Sequence, residues 1–315
     1  LQQIERMRRK GILIENEEIA KEVLESISYY GIVNGYKDIF GVHYDEGLQV
    51  ERFDENISFS LIHTIFIIDQ SLNNLLFKYI VYIEKSLKTK LSYKIAHKYS
   101  TEIDSYLNYN NYRSNGDLDR KSEINNIKRQ IENNKNSAAI KHYRDNHDTI
   151  PPWVATSGIY FGTAINWYKI CQEDIKKYIA EKFFKYLPIS GDDTKEMLVS
   201  MMTLLQEYRN NIAHGNRTFL SNVNSELTKG ILLSLFSEDV LNEEEYHRGI
   251  GQKDLFAVMI SIATLINDPF VFRQLLYDFA LLFNNDDFNL THIYTPRGDL
   301  YDTLGVPKNF LDRLS

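Results

Sequence analysis

The stretch from Ser58 to Lys98, SFSLIHTIFIIDQSLNNLLFKYIVYIEKSLKTKLSYKIAHK, decides the fold and contains neither glycine nor proline. Its apolar side chains recur every three or four residues, which is the spacing of one face of an α-helix. The positions that follow this spacing are Leu61, Ile65, Ile68, Leu72, Leu75, Tyr79, Ile83, Leu87, Leu91 and Ile95. The stretch therefore predicts either one very long helix or two nearly collinear helices.

Helical patterns continue on both sides of this stretch. Asn16, followed by Glu17 and Glu18, predicts a capped helix that ends near Gly31. Further helices are expected at residues 193–212, 255–266 and 270–283, whereas the tail at 295–315, which is rich in Gly and Pro, is expected to be irregular. The sequence thus predicts an all-α fold.

A polar segment from Leu118 to Tyr143 is expected to form another helix. Its sparse apolar stripe consists of Ile124, Ile127, Ile131 and Ile140. Because the segment is rich in Asn, a mobile projecting arm is the alternative. After it, Pro151 and Pro152 interrupt the helical pattern, and Gly158 and Gly162 suggest close packing between helices.

Composition limits the class of protein. The chain has 315 residues, of which 43% are hydrophobic and 25% charged, as in globular proteins. No apolar run approaches the roughly 20 residues of a membrane span. The single cysteine, Cys171, excludes an intrachain disulfide and is expected in a reducing cytoplasm. We expect one domain over 1–315, made of segments 1–57, 58–150, 151–236 and 237–315.

Charge is unevenly distributed along this acidic chain, whose net charge is −7. Between Lys78 and Lys98 there are six lysines against Glu84 alone, and between Arg113 and Arg144 there are eight basic residues against four acidic ones. Such segments are compatible with an RNA partner, and a solvated helix face explains either segment taken alone equally well. Lys88, Lys90 and Lys94 are the candidate RNA contacts.

The most informative short motif is EYRNNIAHGNR at residues 207–217. It places His214, whose side-chain type titrates with an ordinary pKa of about 6.5, between Arg209 and Arg217. Imidazole exchanges protons near neutrality, and guanidinium groups match the geometry of a phosphate. These are the group types that a metal-free ribonuclease requires. The alternative is that Arg209 and His214 only brace a helix end, where cations are favourable.

The spacing within the motif predicts an incomplete site on a single helix. Residues five apart on a helix differ by about 140° in direction, so Arg209 and His214 do not share one narrow face. Two copies of the helix that meet across a symmetry axis would surround one phosphate. We therefore expect a homodimer.

Other constellations are weaker. His142 and His147, with Asp145 and Asp148 nearby, lack the spacing of a helical metal site, and we read them as surface residues. The chain contains no phosphate-binding Gly-Lys-Ser/Thr loop, no dinucleotide-binding turn and no Gly-x-Ser-x-Gly elbow. The residues thus call for no metal and no cofactor.

Several segments resemble, in the same order, those of the Abi-like abortive-infection family of the AbiF and AbiD types. The family is similar to the HEPN superfamily of helical ribonucleases, whose motif of Arg, a polar residue and a later His is matched by Arg209, Asn210 and His214. Gly215 departs from the larger residue common after the His, and Phe310 stands where Trp is common. The matching segments are Ile27–Tyr36, Phe53–Phe59, the helix with Asp69 and Ile83–Leu87, Pro151–Trp153 with Phe161–Gly162, Arg209–Arg217 and Leu304–Phe310.

The resemblance implies a HEPN-like helical bundle with additional N- and C-terminal helices and a polar helical insertion. It also implies a dimer that cleaves RNA without a metal, in anti-phage defence or a toxin–antitoxin system, with a small noncoding RNA as a regulatory partner. His214 would act as acid or base, Arg209 would bind the scissile phosphate and Asn210 would orient either of them. Arg217 and Asn211 are expected as further RNA contacts. The alternative is a non-catalytic helical protein that holds a noncoding RNA or a protein partner.

Overall fold

The computed structural model describes residues 2–53, 57–134, 137–187, 191–218, 223–283, 293–296 and 298–315. In chain order the first helices are α1 (Gln2–Arg9), α2 (Glu17–Ser26), α3 (Gly35–Phe40), α4 (Phe59–Tyr99), α5 (Ile103–Tyr106), α6 (Arg120–Asn133), α7 (Ala138–Asn146), α8 (Pro152–Ala155) and α9 (Phe161–Ile170). The later helices are α10 (Glu173–Phe183), α11 (Asp192–Ala213), α12 (Lys229–Leu235), α13 (Glu243–His247), α14 (Leu255–Leu265), α15 (Pro269–Phe283), α16 (Leu300–Leu304) and α17 (Phe310–Leu314).

Strands are confined, in the described residues, to two short antiparallel hairpins. β1 (Val42–Asp45) pairs with β2 (Val50–Phe53), and β3 (Tyr294–Thr295) pairs with β4 (Gly298–Asp299). One π-helical turn (Tyr30–Asn34) and two 3₁₀ turns (Tyr109–Asn111 and Thr156–Gly158) complete the elements. The predicted all-α class is confirmed, and the more specific likeness to the HEPN bundle stays a prediction.

The chain separates into two compact units. Unit 1 consists of Leu1–Leu76, Asn211–Asn222 and Gln274–Ser315. Unit 2 consists of Phe77–Asn210 and Val223–Arg273. The backbone of α4, α11 and α15 runs on from one unit into the other.

Helix α4 is the single long helix that the apolar spacing allowed, 41 residues without interruption. Most of the predicted inward positions are buried, but Leu61 and Leu75 are only half-buried, and their neighbours Ile62 and Leu76 take the buried places. The apolar stripe is therefore confirmed, with a shift of one residue at two points.

The first predicted helix has the expected beginning and a different end. The Asn16 side chain accepts hydrogen bonds from the amides of Glu18 and Ile19, at 3.0 and 3.1 Å, so the predicted N-cap is confirmed. The helix stops at Ser26, not near Gly31, because Ile27 is extended. A new turn then starts, in which the Ser28 hydroxyl accepts from the Gly31 amide at 3.1 Å.

The polar segment at 118–143 folds as two helices, α6 and α7. Its four predicted inward isoleucines are all buried, which is incompatible with a projecting arm. The Gln130 side chain also donates to the Thr163 hydroxyl at 2.8 Å and accepts from the Tyr160 amide at 3.0 Å. The prediction of a single helix was wrong because Asp119 and Ser137 each cap a separate helix. The alternative of a mobile arm was wrong because the isoleucine stripe is packed in the core.

Of the two glycines expected at close contacts, Gly158 meets the expectation. A Cβ atom there would overlap the Cδ1 atom of Ile140. At Gly162 the nearest atom to an added Cβ belongs to Gln206, 3.6 Å away, which is an ordinary contact. Close packing is therefore confirmed at Gly158 and not at Gly162.

The expectation of an irregular tail was wrong. Asp299 and Asp302 form a capping box at the start of α16, and Gly305 closes that helix with a φ of 67°. Phe310 is buried, with its ring centroid 5.7 Å from that of Phe279 and 4.8 Å from that of Phe283. Caps and one aromatic anchor thus order a segment whose Gly and Pro content predicted no structure. No helix of the described residues is both long and apolar enough to cross a membrane.

Candidate active site

The Arg–His motif lies at the C-terminal end of α11. In unit 2 the helix buries Met197, Met201, Leu204, Leu205 and Tyr208. Ile212, four residues after Tyr208, is only half-buried. The inward face of α11 fixes the helix, and the motif residues occupy its last turns.

His214 is the first residue after the helix, and the chain turns sharply there. The Gly215 amide donates to the Ile212 carbonyl, and the Asn216 amide donates to the Asn211 carbonyl, both at 2.9 Å. Gly215 has a φ of 73°, a conformation that glycine adopts at little cost. These two bonds form a Schellman cap, in which backbone amides satisfy the last carbonyls of a helix.

The cap satisfies the helix end without the imidazole of His214. The side chain is exposed, and it makes no hydrogen bond to any residue that the structure describes. Because the backbone already closes the helix, bracing by His214 is unnecessary. An accessible imidazole is what proton transfer to a bound substrate requires.

Arg209 is held within unit 2. Its Nε atom is buried, has no hydrogen-bond partner among the described residues, and lies 4.0 Å from Oε2 of Glu84. Its guanidinium carbon lies 5.9 Å from the centroid of the Phe77 ring, and Nη1 donates to Oδ1 of Asn210 at 3.2 Å. The side chain is still 30% exposed, so part of the guanidinium can meet a ligand.

Glu84 links Arg209 to one of the predicted RNA contacts. Its Oε1 atom accepts from Nζ of Lys88 at 2.6 Å, and the same ammonium donates to the carbonyl of Ile159 at 2.7 Å. Lys88 is therefore engaged inside unit 2. Glu84 belongs to a segment that carried the family resemblance, but its spacing along α4 gave no sign of its proximity to Arg209.

Lys90 and Lys94 lie against aromatic rings. Nζ of Lys90 is 4.2 Å from the centroid of Phe183 and also donates to the Ser86 hydroxyl. Nζ of Lys94 is 4.6 Å from the centroid of Tyr178. Burial, and then the positive charge of Lys182, lower the pKa of the Lys90 ammonium.

Arg217 is anchored in unit 1. Its Nη2 atom donates to the Gly31 carbonyl at 3.2 Å, and its guanidinium carbon lies 5.3 Å from the centroid of Tyr36. A Cβ atom at Gly35 would overlap this guanidinium, so glycine permits the close approach. Asn211 accepts, through Oδ1, a 3.4 Å bond from the Asn216 side chain.

A buried network fixes Thr218, the residue directly after Arg217. The Asp69 carboxylate accepts from the Tyr36 hydroxyl at 2.7 Å and from the Thr218 amide at 3.0 Å, and it is fully buried. The Thr218 hydroxyl also bonds to the side chain of Asn73. These residues come from distant parts of the sequence, so local spacing could not assign them.

The structure thus groups the candidate residues in two sets. Arg209 and Asn210 meet Glu84 and Lys88 in unit 2, while His214, Asn211 and Arg217 flank the capped turn in unit 1. Across the described ranges, no group of three or more His, Cys, Asp and Glu side chains is arranged to hold a metal ion.

Comparison with known proteins gives one match. The profile of the family described as Abi-like protein matches residues 22–220, more than half of the 315-residue chain. The matched range includes α4, α11 and the Arg–His motif. No curated protein and no solved structure is significantly similar to the chain.

Proposed function

Because the chain belongs to the Abi-like protein family, we propose that it is a metal-independent endoribonuclease of the HEPN type that acts in abortive infection or in a toxin–antitoxin system. The observation that carries the proposal is the turn at His214. A Schellman cap closes the helix through backbone atoms, and the imidazole is left exposed and unbonded to the described residues. A histidine that only braced the helix end would contact the last carbonyls.

The proposed reaction is a transesterification. One imidazole takes the proton of a ribose 2′-hydroxyl, whose oxygen attacks the adjacent phosphorus. The bond from phosphorus to the 5′-oxygen breaks, and a protonated imidazole gives its proton to that oxygen. The products are a 2′,3′-cyclic phosphate and a 5′-hydroxyl. Two histidines are needed at once, so we propose a homodimer in which each copy supplies one His214.

Arg209 is the proposed phosphate ligand. Glu84 lies beside its buried Nε, and Asn210 accepts from Nη1, so the guanidinium is oriented before substrate arrives. An arginine held in this way stabilises the charge that develops on the phosphate. Asn210 accordingly acts through Arg209. Arg217 is used as a brace against Tyr36 and Gly31, which makes it the weaker candidate for the phosphate.

The alternative function is RNA binding without cleavage. It is favoured by the lysines of α4 that lie against aromatic rings. Under this alternative the protein would hold a noncoding RNA, and the exposed His214 would have no chemical role. We place either activity in the cytoplasm.

Replacement of His214 separates the two functions. His214→Ala is expected to lower RNA cleavage by about 100-fold or more, the usual contribution of an acid–base group, while RNA affinity is retained. His247→Ala, which changes another exposed histidine, is the matched control. If both variants retain the cleavage and the cellular toxicity of the wild type, the enzymatic proposal is wrong.

A further inference from the structure

A cluster of basic and aromatic side chains covers one surface of unit 2. It combines the C-terminal part of α4 with α10, and we name it the aromatic–lysine patch. Its members are Lys90, Tyr93, Lys94 and His97 of α4 and Tyr178 and Lys182 of α10.

Three side chains of the patch contact the ring of Tyr178. Nζ of Lys94 lies 4.6 Å and Nζ of Lys182 lies 5.4 Å from the centroid of the Tyr178 ring. The ring of Tyr93 stacks beside it, with centroids 6.4 Å apart and planes at 28°. The His97 ring lies 6.4 Å from that of Tyr93. Spacings of three and four residues on both helices bring these groups to one surface.

The patch carries three ammonium groups, those of Lys90, Lys94 and Lys182. In the part of the chain that the structure describes, no carboxylate forms an ion pair with Lys90, Lys94 or Lys182. The neighbouring carboxylates pair with other lysines: Oδ1 of Asp174 lies 2.5 Å from Nζ of Lys98, and Oε1 of Glu181 lies 3.9 Å from Nζ of Lys177. Three ammonium groups that have no carboxylate partner among the described residues, on a chain of net charge −7, mark a place that attracts anions.

The aromatic rings of the patch favour a nucleic acid over other anions. Tyr93 is 59% exposed, although burial of an aromatic ring is favourable. Its ring stacks beside that of Tyr178, against which Lys94 and Lys182 lie. A ring with an open face beside ammonium groups is the combination that stacks a base and neutralises its phosphate. Bases inside a duplex are already stacked, so an open ring favours a single strand.

We propose that the aromatic–lysine patch binds single-stranded RNA, with a base stacked on Tyr93 and the adjoining phosphates held by Lys94 and Lys182. The inference rests on the proposed function, because that function makes RNA the ligand. It adds the surface by which RNA is recognised, which lies apart in the sequence from the Arg–His motif.

The test is RNA affinity in a protein that does not cut. A fluorescein-labelled oligouridine is titrated with the full-length His214→Ala protein in EDTA, and binding is followed by fluorescence polarisation. Adding Tyr93→Ala is expected to weaken binding about 5- to 150-fold, the range for loss of one base–aromatic stack. Tyr93→Phe keeps the ring and is expected to keep the affinity. Tyr160→Ala, which removes a similarly exposed tyrosine of unit 2, is the control.

The lysines are tested by salt dependence. Each phosphate contact to a single strand contributes about 0.7 to the slope of log Kd against log salt concentration. Replacing Lys94 and Lys182 together by Ala is expected to reduce that slope by about 1.4. Lys177→Ala, on the same helix as Lys182, is expected to leave it unchanged. Circular dichroism melts verify that every variant is folded.

The outcomes separate this inference from the proposed function. If the wild type cleaves RNA but folded Tyr93→Ala and the Lys94/Lys182 variant keep their RNA affinity, the proposal that the patch binds RNA is wrong and the enzymatic proposal stands. If RNA binding depends on the patch but the wild type cleaves no RNA, the binding proposal is supported and the enzymatic proposal is wrong. Absence of oligouridine binding by the His214→Ala protein overturns the patch.

Discussion

The buried hydroxyl of Tyr36 offers a direct test of how the chain after the Arg–His motif is held in place. Tyr36→Phe removes the hydroxyl that donates the 2.7 Å bond to Asp69 and keeps the ring that faces Arg217. Burial, and then the negative charge of Asp69, raise the pKa of this phenol well above its ordinary value. The hydroxyl is therefore a firmly protonated donor at neutral pH.

The expected cost depends on the surroundings of Asp69. This carboxylate is fully buried and receives the Thr218 amide as well. A hydrogen bond to a charged group contributes about 1.5–3 kcal/mol, and a buried acceptor cannot replace it with water. Tyr36→Phe is thus expected to lower the free energy of unfolding by about 1.5–3 kcal/mol.

Urea unfolding followed by circular dichroism measures this change. Tyr30→Phe, which removes a hydroxyl from a tyrosine that is 73% exposed, is the matched control and is expected to change the free energy by less than about 0.5 kcal/mol. In the background of Asp69→Asn the cost of Tyr36→Phe should shrink, because the charged acceptor is gone. Equal effects of Tyr36→Phe and Tyr30→Phe would refute the argument.

Three further substitutions test other parts of the structure. Gly158→Ala is expected to destabilise by about 1–3 kcal/mol through overlap with Ile140; Ile140→Val, which removes the overlapped methyl group, should recover part of this loss, and thermal melts of the single and double variants decide. Burial raises the pKa of Asp254 to about 6, above its unfolded value of about 3.9. Protonation of Asp254 therefore stabilises the folded protein at low pH, and this stabilisation is lost as the pH rises through 6. Relative to Asp254→Asn, wild-type stability should accordingly fall by about 2–3 kcal/mol between about pH 4 and 7; a constant difference would contradict the assignment. Asn16→Ala is expected to cost about 1 kcal/mol and to speed hydrogen exchange at the amides of Glu18 and Ile19, and unaltered exchange there would argue against the cap.

The sequence was informative at several points where structure depends on neighbours along the chain. The three- and four-residue spacing of α4 predicted its helical conformation and left one long helix or two collinear helices open, and Asn16 predicted the start of α2. Gly215 also carried a local signal, since glycine directly after a helix favours the left-handed cap seen there. That this cap leaves His214 exposed and unbonded to the described residues could be seen only from the hydrogen bonds themselves.

Contacts between distant segments were out of reach of such patterns. The pairs Glu84–Arg209, Tyr36–Asp69 and Asp69–Thr218 join residues that lie 33 to 149 positions apart in the sequence. Periodicity carries no information on such pairs. The ordered tail was missed for the same reason, because burial of Phe310 depends on partners in α15. The Gly and Pro content of the tail correctly indicated its turns. It gave no indication of how the tail packs.

RNA cleavage in EDTA, with the chemistry of the cut ends mapped for wild type, His214→Ala and Arg209→Ala, tests the proposed function most directly. We predict cleavage by the wild type alone, with 2′,3′-cyclic phosphate and 5′-hydroxyl ends. Ends that carry a 5′-phosphate, loss of activity in EDTA, or undiminished cleavage by His214→Ala would each contradict it.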